Sequence, residues 1–309
     1  EQTGWLAALL AVISPLYLGL SASLLPHALC LLLLTLFAWA LYRSTLNATR
    51  STWYACLAGV ALGWAAITRP TTALVYALPF ALWFARKLAR RQASFRACII
   101  FLASAGVVVA LLPLYNLMRT GDPWVNLYTT WWEYDQIGFG PNHGPLPGGH
   151  TLLSALVNAY VDALDLLTSL LGWPWLSWLL IAPGLLMTPS RRDTALLAPF
   201  IALVLGYSLY WMHGSGTHGP RYWYEAMPFL WLLSARGLVK LWDRAKAPQI
   251  RRAPRAWAMI IQPGLAVLIA LNVAVTLPAR FAFWRGLYTI TNEPWQAVQK
   301  SEIHNALVI

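Results

Sequence analysis

Long apolar runs, separated by short polar connections, organise this chain. They cover roughly residues 5–24, 26–42, 53–67, 71–85, 97–118, 173–188, 194–212, 223–240 and 257–277. A membrane-crossing helix needs about 20 apolar residues, so several of these runs are short. Ser14-Pro15 and Pro26 interrupt the first stretch. The runs are continuous rather than alternating, which predicts helices and not a closed barrel. The expected fold is an all-α polytopic membrane protein with about nine transmembrane helices. Short, proline-broken helices predict a bundle with an internal cavity.

One stretch breaks the pattern. From Arg119 to Gly172 the chain carries Thr120-Gly121-Asp122-Pro123, Trp131-Trp132-Glu133-Tyr134-Asp135, Gly138-Phe139-Gly140-Pro141-Asn142-His143 and Gly149-His150-Thr151. Loops this long are usually functional or disordered. Disordered segments are poor in aromatics, and Trp124, Tyr128, Trp131, Trp132, Tyr134 and Phe139 argue for order. At its end, Asn158, Asp162 and Asp165 recur at i, i+4 and i+7, the stripe of an amphipathic helix. We expect that helix to lie in the interface, because a tenth span would break the topology described next. The domain organisation expected is a transmembrane unit over 1–277, with the loop and interfacial helix at 119–172. Residues 278–309 read as the start of a C-terminal extracytoplasmic segment, and the chain as a fragment cut at both ends.

Composition agrees. Of 309 residues, 59% are hydrophobic and only 11% charged, where a soluble domain carries roughly 25%. The 18 tryptophans suit two membrane–water interfaces. Cys30, Cys56 and Cys98 sit inside apolar runs and read as small buried hydrophobes.

The net charge of +11 is a matter of sidedness. Arg43 and Arg50 fill one connection, and Arg86, Lys87, Arg90, Arg91 and Arg96 the next but one. Arg191 and Arg192 follow, then Lys240, Arg244, Lys246, Arg251, Arg252 and Arg255. These basic connections alternate with poor ones, so they read as cytoplasmic. The excess then marks topology and affinity for anionic lipid, with no nucleic-acid partner. The other face collects Asp122, Glu133, Asp135, Asp162, Asp165, Glu225, Glu293 and Glu302, all six histidines (His27, His143, His150, His213, His218, His304) and isolated arginines.

Candidate chemistry lies on that face. Arg69, in Thr68-Arg69-Pro70, is either a ligand for a phosphate head group or a snorkelling structural arginine. The cluster His213-Gly-Ser-Gly-Thr-His218-Gly-Pro-Arg221-Tyr222-Trp223-Tyr224-Glu225 offers close backbone approach, a cation and aromatics that suit a sugar ring or isoprenoid tail; the competing reading is an aromatic belt. His213 and His218, five apart, match no standard metal site. Glu133 and Asp135, a close acid pair, could serve as a general base, help hold a divalent cation, or pair with Arg119 or Arg221. His143 and His150 have the competing role of satisfying hydrogen bonds within the loop. There is no nucleophile elbow, Walker loop or zinc-protease motif.

Ser14-Pro15, Gly63-Trp-Ala-Ala-Ile-Thr-Arg69-Pro70, the loop motifs from Thr120 to Thr151 and Gly219-Pro220-Arg221-Tyr222 before Pro228-Phe229 resemble the GT-C membrane glycosyltransferases. Within them, the bacterial protein O-mannosyltransferase-like and aminoarabinose-transferase-like branch is the most similar. The resemblance spans most of residues 5–245. It implies a polyprenyl-phosphate-linked sugar donor, inverting transfer on the outer face and residence in the bacterial inner membrane. It also implies a catalytic carboxylate in the first outer loop, a segment expected upstream of Glu1, so that this fragment alone would be inactive. Arg69 and Arg221 are the expected donor-phosphate contacts, with Tyr222, His150 and His218 as further substrate contacts and Glu133 and Asp135 as possible assisting acids. Two other classes remain open: a transporter or flippase for a lipid-linked or anionic substrate, and a polysaccharide polymerase. No internal repeat of the kind transporters carry is evident.

Overall fold

The computed structural model describes residues 1–47, 49–188, 190–246, 253–287 and 291–301. Glu302, His304, Arg251 and Arg252, assigned above to one face or the other, lie outside them. The architecture is all-α. Among the described residues there are no strands, only isolated bridges between Ile137 and Tyr210 and between Gly140 and His150.

The chain opens with α1 (Gln2–Val12) and α2 (Pro15–Ser21), bent by 67° at the expected Ser14-Pro15 break. Ser14 caps α2 by accepting from the Tyr17 amide, and Pro15 fills the first helical position, where no amide is needed. Then come α3 (His27–Leu46), α4 (Ser51–Thr68) and α5 (Pro70–Ala89). Pro70 keeps Arg69 out of helical geometry (φ −147°, ψ 83°), so α4 ends and α5 begins around one extended residue. The next apolar stretch is α6 (Phe95–Val109) continued by α7 (Leu111–Thr120), which Gly121 closes in the left-handed conformation. A short helix, α8 (Leu127–Trp131), lies in the long loop, and α9 (Leu152–Ser169) begins with a Thr151–Ser154 capping box.

The second half is more broken. Residues 173–188 do not form the single span expected. Turns occupy 174–180, followed only by α10 (Ile181–Leu186). Pro174 and Pro183 interrupt regular winding, and the fully buried Ser177 hydroxyl replaces helical bonds, donating toward the Thr168 carbonyl and receiving the Leu171 amide. Next are α11 (Arg191–Ala195), α12 (Ala198–Tyr207) and a 3-10 turn (Arg221–Ala226) that feeds α13 (Met227–Lys246). The last apolar stretch is α14 (Ala253–Leu271), a π turn (Asn272–Thr276) and α15 (Leu277–Trp284), so helix continues past residue 277; α16 (Glu293–Lys300) follows. By length and apolarity, five of the described helices could cross a membrane, or six counting the bent α1–α2 pair as one. One of the five is α9, which the sequence predicts to lie in the interface; the remaining runs expected to span are short or, like α5 and α13, carry several charges.

Close packing of small residues joins the bundle. Gly59 and Gly63, four apart on α4, meet the α6 backbone at Phe101 and Ala105 and the Val108 side chain, where any side chain would collide. Gly184 on α10 and Gly237 on α13 meet in the same way. Phe37, Tyr76, Phe80 and Phe229 interlock in the interior. Outward faces stay apolar, with Leu102, Val107, Val267 and Val273 exposed, as lipid contact requires.

Helix α9 has its polar stripe turned inward. Asn158 donates to the Trp211 carbonyl, Asp162 holds the amides of Gly214 and Ser215, and Asp165 meets Arg280. Leu152, Leu153, Leu156, Val157 and Tyr160 face out. Helix α9 therefore packs its polar stripe against the 208–219 connection, while its length and apolarity are also those of a membrane span.

Candidate functional site

Four chain segments converge near that connection. His27 heads α3, Arg69 is the extended residue before Pro70, Tyr207 ends α12, and Tyr222 and Glu225 lie on the 3-10 turn. The Glu225 carboxylate is fully buried. Its Oε1 stands 3.1 Å from His27 Nδ1 and 3.3 Å from Arg69 Nη1. Arg69 Nη1 is also against the His27 ring, 2.7 Å from Nε2, and its Nη2 donates to the Tyr207 hydroxyl at 3.0 Å. Thr72, one turn into α5, bonds the same hydroxyl. Glu225 Oε2 is buried without a partner.

An aromatic wall links this knot to Arg221. Tyr207 and Tyr222 stack with ring centroids 4.6 Å apart and planes within 9°. The Arg69 guanidinium lies 5.7 Å from the centre of the Tyr222 ring and that of Arg221 5.2 Å, both cation–π distances. Both arginines therefore share one tyrosine. Their polar commitments differ. Among the described residues, Arg221 Nη2 has only the Tyr222 hydroxyl at 3.3 Å and the Met212 sulfur at 3.6 Å, and its Nε is buried without a partner. Beside Tyr222 a shallow cleft is lined by Asn158, Asp162, Tyr207, His213 and Trp223.

The glycine-bearing connection that carries Arg221 is held from two sides. Asp162 accepts the Gly214 and Ser215 amides at 3.0 and 2.7 Å, and Trp284 Nε1 donates to the Thr217 carbonyl at 2.7 Å. Gly219 has φ +91° and sits against Leu16 and Ser169, so a side chain there would be both strained and crowded. His218 stacks on Trp284 and bonds Thr217; burial and the nearby Arg221 charge hold its pKa below the usual histidine value.

The long loop is anchored onto the same connection. Asp135 accepts from the Tyr210 hydroxyl at 2.6 Å and the Trp211 indole at 2.9 Å, rather than pairing with Arg119 or Arg221. That bond and burial push the Tyr210 hydroxyl pKa up, burial contributing most. His150 is buried, stacks on Phe139, and commits Nε2 to the Ser208 carbonyl and Nδ1 to the Ser154 hydroxyl. His143 lies by the Pro141 carbonyl, and Glu133 is exposed at the loop surface. Among the described residues, no three His, Cys, Asp or Glu side chains gather as a metal site would require.

Of the residues singled out from sequence, Arg69, Arg221 and Tyr222 come together; His218 lies on the neighbouring connection, and His150, Glu133 and Asp135 belong to the loop. Sequence reasoning gave no role to His27 or Glu225. The signal was there: each heads an apolar helix, where an ionisable group is costly unless paired.

No curated protein and no solved structure matches the chain. A family model does: residues 1–115 match the family described as dolichyl-phosphate-mannose-protein mannosyltransferase. That segment contains α1 to α6, with the Ser14-Pro15 bend, His27 and the Arg69-Pro70 hinge, and its match bears out the resemblance to membrane glycosyltransferases of the GT-C type.

Proposed function

We propose that this chain serves the transfer of a sugar from a polyprenyl-phosphate carrier to an acceptor on the extracytoplasmic face of the membrane. The observation that carries the proposal is the meeting of Arg69 and Arg221 on one tyrosine, at the bundle end opposite the basic connections. A lipid phosphate leaves with negative charge developing on its oxygens, and a fixed guanidinium in a partly dry site stabilises that charge far better than water does. The stacked Tyr207–Tyr222 pair and Trp223 form an aromatic wall along the cleft beside the arginines. The positive-inside rule puts Arg86–Arg96 in the cytoplasm and this site on the other side. The acceptor hydroxyl needs a base within about 3 Å, and Glu225 is too buried and too engaged to meet it, so we assign no residue of this chain that role.

The test is transfer from a radiolabelled polyprenyl-phosphate sugar by the full-length protein in proteoliposomes. Donor-dependent transfer is expected. ATP-independent movement of the intact lipid between leaflets, without transfer, would instead indicate a flippase. Sidedness is checked separately: Asn142→Cys should react with an impermeant maleimide from outside and Gln92→Cys should not.

A further inference from the structure

The two arginines on Tyr222 are not equivalent. Arg69 is enclosed, and its terminal nitrogens already meet Glu225, His27 and Tyr207. Its partner carboxylate has no access to water. A charge so placed is fixed by its counter-ion: removing either member leaves the other buried and alone. Arg221 differs on each count. It is only half-buried, no acid is paired with it among the described residues, and its Nε is buried without a partner. Its remaining contacts, a thioether and a neighbouring phenol, are weak acceptors. Asp162 and Trp284 brace the segment around it from outside.

We infer that the two arginines divide the work: Arg221 is the group that grips the anionic carrier, whereas Arg69 is the counter-ion of Glu225 and acts through the Tyr222 ring to position Arg221. Glu225 and His27 are then positioning residues. The 3-10 turn holds both Glu225 and Arg221, four residues apart, so the buried ion pair sets the orientation of the turn from which Arg221 projects. The ligand class is a phosphate mono- or diester on a polyprenyl chain. This rests on the donor reading above, but it makes a claim about Arg69 that the reading alone does not.

A double-mutant cycle separates the roles. Arg69→Gln, Glu225→Gln, the double variant and Arg221→Gln are reconstituted in nanodiscs, and melting temperature and binding of undecaprenyl phosphate are measured for each. Either single change at the pair should lower the melting temperature and weaken binding. The double variant, which restores a neutral donor–acceptor pair, should recover most of both. Arg221→Gln should melt like the wild type and bind about 10- to 100-fold more weakly, the value of one or two hydrogen bonds to a charged group. A double variant that recovers stability but not binding would show that Arg69 touches the anion itself and overturn the division. Wild-type affinity in Arg221→Gln would do the same. A wild-type protein that binds no undecaprenyl phosphate overturns the donor reading and the role of Arg221 with it, while the melting cycle still decides the Arg69–Glu225 pairing.

Discussion

The bundle has a charged knot at each end, and the two are built differently. At the basic end, Asp193 on α11 meets Arg236 and Lys240, one turn apart on α13; the Asp193–Lys240 distance is 2.9 Å. Lys240 also donates to the carbonyls of Gly184 and Thr188, ending the turns around α10. Burial would raise the Asp193 pKa, but the hydrogen bonds from Lys240, Arg236 and Ser190 outweigh it and hold the carboxyl below its usual value. Here two cations satisfy one acid, and the remaining donors of Lys240 go to neighbouring carbonyls, all within a single helical neighbourhood. At the other end, His27, Arg69, Tyr207 and Glu225 come from four distant segments, and one carboxylate oxygen and the nearby Arg221 Nε remain without partners. The first knot is a clamp. The second keeps hydrogen-bonding capacity in reserve beside stacked aromatics, which is what a binding site needs and a clamp does not.

The comparison can be broken at several points. Glu225→Ala should have the largest effect, about 3–5 kcal/mol of stability, because it strands a buried guanidinium; chemical or thermal unfolding in detergent measures it. Asp193→Ala should cost less, about 2–3 kcal/mol, since water reaches the partly exposed Arg236, and it should leave carrier binding unchanged. Carrier affinity falling in step with stability in Asp193→Ala would erase the distinction between the ends. Gly59→Val, which forces α4 away from α6, should cost about 1–3 kcal/mol by overpacking and act far from both knots. The smallest effect is that of His218. Its folded pKa lies below the unfolded one, so protonation favours the unfolded chain. Its contribution is intact above about pH 6.5 and is lost as the pH falls through that value. His218→Gln should therefore reduce the loss of melting temperature between pH 7 and pH 5, and an unchanged slope would remove His218 from the acid response.

How much of this could be read in advance depended on range. The Ser14-Pro15 bend, the Arg69-Pro70 hinge and the Asn158–Asp165 stripe are local consequences of proline geometry and helical period, and they are where the residues said they would be. The 173–188 run misled because apolarity reports burial and not winding. Prolines and a buried serine can satisfy an apolar stretch without a long helix. The pairing of Glu225 with His27 and Arg69 was illegible for another reason. Its partners lie 198 and 156 residues away, and nothing in spacing or propensity encodes which turn meets which across a bundle.

The inward stripe of α9 carries a last consequence. Its outer surface of Leu152, Leu156 and Tyr160 is exposed and apolar, while Asp162 on its inner surface accepts the amides of Gly214 and Ser215, seven and six residues before Arg221. One helix thus presents an apolar surface outward and, on its other side, holds the segment that bears Arg221. If the outward face of α9 lies in lipid and Arg221 holds the carrier as proposed, a change in leaflet thickness that tilts this helix should alter carrier affinity and leave the melting temperature of the bundle unchanged.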